Sequence, residues 1–141
     1  MINSRNLSAK ADQAHVAVTL AGVVTGGLIT SRSQRRQWTR DQQAGSCATV
    51  IQESVRVQLA LREWWRHGQR ADWTAWNQAL AMIWLVGTPD TIAEAKHMDR
   101  LFCLAGQRIR RDQGFDEETW DAARDEMETA RLSFINAARR A

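Results

Sequence analysis

His15 to Trp38 reads "HVAVTLAGVVTGGLITSRSQRRQW". It opens without a charge and closes on a run of arginines. From Gln13 to Ser31 there is no Asp, Glu, Lys or Arg. The apolar part, Val16 to Thr30, has 15 residues. As a helix it spans roughly 22 Å. The hydrocarbon core of a bilayer is about 30 Å thick and usually takes about 20 residues. The span is therefore short unless Gln13, Ala14, His15 and Ser31 fill its ends.

Three features of the stretch favour a membrane helix. In water it is a poor helix, because Gly22, Gly26 and Gly27 each cost about 1 kcal/mol against Ala. In lipid the backbone must bond internally, which imposes helix despite those residues. Gly22 and Gly26 form a Gly-x-x-x-Gly ridge, with Ala17 and Ala21 as a second small-residue pair. Such ridges let two membrane helices approach closely. Arg32, Arg35, Arg36 and Arg40 follow at once, with Trp38 among them as an expected interfacial residue. The N-terminal flank offers only Arg5 and Lys10 against Asp12. The positive-inside rule then places the C-terminal body in the cytoplasm and the N-terminus outside.

Two other readings compete. A cleaved signal peptide is disfavoured, because the arginines follow the apolar run and no A-x-A-like site appears. A soluble β-hairpin is the more serious rival. Val16, Val18 and Leu20 alternate, and Ala21-Gly22 or Gly26-Gly27 would make its turn. A lone hairpin is marginal in water and would need helices to cover it.

The remainder reads as helix with clear punctuation. The whole chain has 141 residues and a single proline, Pro89. Its composition is 44% hydrophobic and 25% charged, a balance that folds rather than staying disordered. A first helix is predicted from about Arg32 to Arg66, with a bend or break at Gly45-Ser46. Its apolar face is Cys47, Val50, Ile51, Val55, Leu61 and Trp65. His67-Gly68 ends it. Asp72 is placed to cap a second helix, with Trp73, Trp76, Leu80, Ile83 and Trp84 on one face. In "GTPDTIAEA" Thr88 caps, Pro89 takes the first helical position and Asp90 meets the positive helix end.

The third helix is predicted to bury Ile92, Ala95, Met98, Phe102, Ala105 and Ile109. Gly114 stops it, Asp116 caps the fourth helix, and Phe115 and Trp120 are placed for a hydrophobic staple. Trp120, Ala123, Met127, Ala130, Phe134 and Ala137 step by 3, 4, 3, 4 and 3, a heptad-like stripe. Short loops make neighbouring helices antiparallel. The expected fold is all-α: an N-terminal membrane-spanning helix followed by an antiparallel three- or four-helix bundle. Residues 1–12 read as a flexible N-terminus, 13–31 as the transmembrane helix and 32–141 as a cytoplasmic helical bundle.

Little in the chain points to chemistry. Cys47 and Cys103 lie far apart with no metal-type spacing, and read as two buried thiols. Glu94 and His97 have the Glu-x-x-His spacing of di-iron bundles, but no second copy exists and His97 lies off the buried face. Glu63 and His67 read as a surface ion pair. No phosphate-binding loop, dinucleotide fingerprint, nucleophile elbow or His-Glu-x-x-His occurs. No catalytic residue, cofactor or metal is expected, and an enzyme is the least supported class.

Surfaces carry more. Five of the seven tryptophans fall between Trp64 and Trp84. Most of them suit an aromatic core. Trp64 and Trp65 are adjacent and are not expected to face one core together, so one is a candidate partner surface. Arginines from Arg32 to Arg70 dominate the first helix, and acids from Asp112 to Glu128 the last. The two faces are expected to attract each other, or the basic strip to meet anionic headgroups. A net charge of +3 does not by itself imply nucleic acid, which ranks last among partners.

"LAGVVTGGLITSRSQRRQWTRD", "AMIWLVGTPDTIAEA" and "WDAARDEMETARLSFINAARRA" together resemble a loose group of small uncharacterised helical proteins of GC-rich bacteria with an N-terminal apolar segment. The resemblance covers most of the chain. Its motifs are structural, so it implies architecture and no activity. The expected role is protein-protein interaction or scaffolding at the inner face of the cytoplasmic membrane. The expected partners are lipid, an unidentified protein and a second copy of the chain. The alternatives are a soluble helical interaction module and, further off, a holin-like membrane-active protein.

Overall fold

A computed structural model describes the backbone of residues 4–111 and 114–141, and the side chains of residues 30–111 and 114–141. Four helices follow one another: α1 (Ser4–His67), α2 (Thr74–Val86), α3 (Pro89–Arg111) and α4 (Glu117–Arg140). Among the described residues there is no strand, so the hairpin alternative for the opening stretch gives way to helix. The chain divides into two compact units, 1–40 and 41–141.

The first unit is helical backbone from Ser4 onward. The side chains of the expected membrane segment, residues 13–31, lie outside the described residues except for Thr30 and Ser31. Among the described residues no helix is long and apolar enough to cross a membrane. The Gly22/Gly26 ridge also lies outside the described side chains.

The second unit holds the last part of α1 with α2, α3 and α4. Arg131 of α4 reaches Ser54 and Gln58 of α1, Glu128 meets Gln58, and Glu117 meets Arg66. Rising numbers on α1 meet falling numbers on α4, so these helices are antiparallel. Trp76 of α2 bonds Asp99 of α3, and Lys96 lies over Trp84, which makes that pair antiparallel too. Leu101 and Arg108 of α3 share a cleft with Ala122 and Glu126 of α4. The unit is an antiparallel bundle of four helices.

Burial explains why these segments are helices. The α3 face expected from the sequence is buried at Ala95, Met98, Phe102, Ala105 and Ile109. Ile92 is only half-buried, and Thr91 takes its place in the core. On α4, Trp120, Met127, Ala130, Phe134 and Ala137 are buried and Ala123 is half-buried. Their alternation of large and small side chains fits one helix against its neighbours at native density.

Caps follow the same logic. α3 begins at Pro89, and Thr88 and Thr91 exchange bonds: the Thr88 N–H donates to Thr91 Oγ1 at 2.9 Å, and the Thr91 N–H to Thr88 Oγ1 at 3.3 Å. The Asp116 carboxylate accepts from the Thr119 N–H at 2.8 Å and from its hydroxyl at 2.7 Å. The N-cap of α2 is Trp73 rather than the expected Asp72, which lies one residue earlier and accepts from the Thr74 N–H at 3.0 Å. Gly68 and Gly114, at φ of 71° and 75°, make the reversals after α1 and before α4, where a side chain would be strained.

Several sequence expectations are corrected. α1 runs without a break through Gly45-Ser46, because the i to i−4 ladder of a helix tolerates one glycine at modest cost. Its buried face is Cys47, Val50, Val57 and Leu61, joined by Ser46, Glu53 and Ser54. Val55 is exposed, because it lies about 100° around the helix from Ser54. Trp84 is exposed for the same angular reason, one residue past buried Ile83. Cys103 is exposed rather than buried, one position past Phe102, whereas Cys47 is buried.

Candidate membrane-side and partner surfaces

Within the first unit the side chains of residues 30–40 are described, and all of them are exposed. Arg32, Arg36 and Arg40 follow at i, i+4 and i+8, which stacks them on one side of the helix. Trp38 is 63% exposed and lies roughly 160° around the helix from Arg36. Arg35 lies between these two sides. The Thr39 hydroxyl donates to the Arg35 carbonyl at 2.9 Å, so it adds no outward polar group. The stretch holds no acid to neutralise its four arginines.

Trp64 and Trp65 pack against the core together, each half-buried. They manage this by using different neighbours. The Trp65 ring stacks on Trp120 at 5.9 Å and meets Phe115 edge-on at 5.3 Å. It thereby bridges the two residues expected to staple the start of α4. Trp64 closes instead on α3, where a Cβ on Gly106 would lie 3.5 Å from its ring and 3.4 Å from that of Trp73. A glycine there lets two indoles cover one helix. Arg66 extends the Trp65 cluster, with its guanidinium 4.6 Å from the ring centre and paired with Glu117. That pair joins the basic face of α1 to the acidic start of α4.

A group of exposed apolar side chains lies on α2. Met82, Trp84 and Leu85 are 43%, 55% and 78% exposed, and Ala81 lies between Trp84 and Leu85 around the helix. α2 has no charged residue from Thr74 to Val86. Its exposed polar residues, Thr74, Asn77 and Gln78, lie in the first half, so the apolar exposure gathers toward the C-terminal half. Lys96 of α3 sits 5.2 Å from the Trp84 ring centre. Val55, Leu59, Leu104 and Leu132 are further exposed apolar side chains.

Among the described residues no three His, Cys, Asp or Glu side chains cluster for a metal ion. His97 is exposed and Glu94 half-buried on α3. His67 and Glu63 form the expected surface pair at 3.7 Å. Burial raises the thiol pKa of Cys47, and of Cys103 with help from the Asp99 charge, so neither is an activated nucleophile. Every buried side-chain polar atom among the described residues has a partner.

Comparison with known proteins adds no relative: no protein-family model matches the chain, and no curated protein and no solved structure is similar to it.

Proposed function

We propose that the chain is a membrane-anchored helical interaction module. In this reading the 13–31 segment spans the cytoplasmic membrane, N-terminus outside, and the 41–141 bundle serves as a docking body on the inner face. The observation that carries it is the charge-free apolar stretch followed at once by Arg32, Arg35, Arg36 and Arg40, all four exposed. An uncompensated basic collar beside an apolar run suits anionic headgroups, each charge contributing about 1 kcal/mol near the surface. Trp38 belongs to the same interfacial belt. The uncharged outer arc of α2 supports the docking role. Exposed apolar surfaces of this kind, here including Trp84, are where protein partners anchor.

Fractionation of a C-terminally tagged protein tests the reading. Retention in membranes through both high-salt and carbonate washes is the expected result. Release by salt alone would mean that the arginines bind headgroups without an inserted span. Recovery in the soluble fraction from the outset would leave the soluble interaction module. That second reading draws support from the bundle itself: among the described residues the buried core lies within residues 41–141 and its buried side-chain polar atoms have partners.

A further inference from the structure

We draw no further inference here: the strongest candidate, the exposed apolar patch of Met82, Trp84 and Leu85 on α2 with Lys96 of α3 beside it, is an unpartnered helix face, and nothing in the structure shows what covers it.

Discussion

The Nε of Arg131 on α4 donates to the hydroxyl of Ser54 on α1 at 2.7 Å, and that hydroxyl donates in turn to the Ile51 carbonyl at 2.6 Å. The guanidinium also reaches Gln58 Oε1 at 2.6 Å and the Ser54 carbonyl at 3.3 Å. Ser54 is fully buried, and burial lowers the pKa of Arg131 without removing its charge. Arg131 is thus the polar clamp between the first and last helices of the bundle. Arg131→Ala should cost about 1–2 kcal/mol, the partial exposure of the guanidinium holding it to that range. Ser54→Ala should cost less, because the arginine retains Gln58. Urea unfolding of the two single variants and the double variant would show coupling. Strict additivity would remove the clamp.

The Trp76 indole N–H donates to Asp99 Oδ1 at 2.8 Å, with the ring 1% exposed and edge-on to Phe102 at 5.1 Å. Trp76→Phe loses the bond and leaves a void in the core. The expected cost is about 2–3 kcal/mol. Thermal unfolding would report it, and a change below about 0.5 kcal/mol would contradict this packing.

Gly87 closes α2 by donating to the Ile83 carbonyl at 2.7 Å. A Cβ there would stand 2.4 Å from that carbonyl oxygen and 2.9 Å from Thr91 Oγ1. The obstruction is backbone and cannot swing aside. Gly87→Ala should destabilise the bundle by about 1–3 kcal/mol. Gly45→Ala, in open space on a helix, should instead raise stability by about 0.5–1 kcal/mol. Opposite signs for the two substitutions are the readout in a denaturant titration.

Hydrogen bonds from the Thr119 amide, then from its hydroxyl, hold the Asp116 carboxyl below the usual aspartate range. The folded chain is therefore the more acidic state at this group. Its stabilisation is fully present above the unfolded pKa of about 3.9 and is lost as pH falls through the lower folded value. Asp72 behaves in the same sense through Thr74. Asp116→Asn keeps a capping side chain but does not titrate. The difference in Tm between wild type and this variant should shrink as pH drops below about 4. A difference that stays constant from neutral to acidic pH would count against the cap.

Cys103 is exposed and Cys47 buried, and both thiols are raised in pKa. A maleimide should modify one thiol per native chain, slowly at neutral pH and faster above about pH 8.5 as thiolate forms. The second thiol should react only on unfolding. Mass spectrometry of native and urea-treated samples would separate the two, and equal native labelling of both would contradict the burial of Cys47.

Much of the bundle was legible before any coordinates. The caps at Thr88-Pro89 and Asp116, and the stripes from Ala95 to Ile109 and from Trp120 to Ala137, follow from local rules. A cap needs one side chain and one amide a few residues away, and an amphipathic stripe needs only the helical period. The α1 face was read less well. The loose helical spacing admits exposed Val55 and omits buried Val57, because a 64-residue helix shows no dominant amphipathic face when averaged over its length. The exposure of Trp84 has a related reason. Trp84 fits the three-and-four spacing of Trp76, Leu80 and Ile83, yet it falls at the edge of the covered arc.

The sequence by itself determined the ends of α3 and the start of α4, and which faces of α3 and α4 are apolar. These are properties of the chain within a turn or two. Only the tertiary structure decided that Trp64 and Trp65 both find cover, that Arg131 serves Ser54, and that Ala81, Met82, Trp84 and Leu85 remain outside. Each of those depends on which helix stands next to which, and on how many degrees of a helix its neighbours cover. A helical period fixes the angle between two side chains. It does not fix the direction from which the next helix arrives.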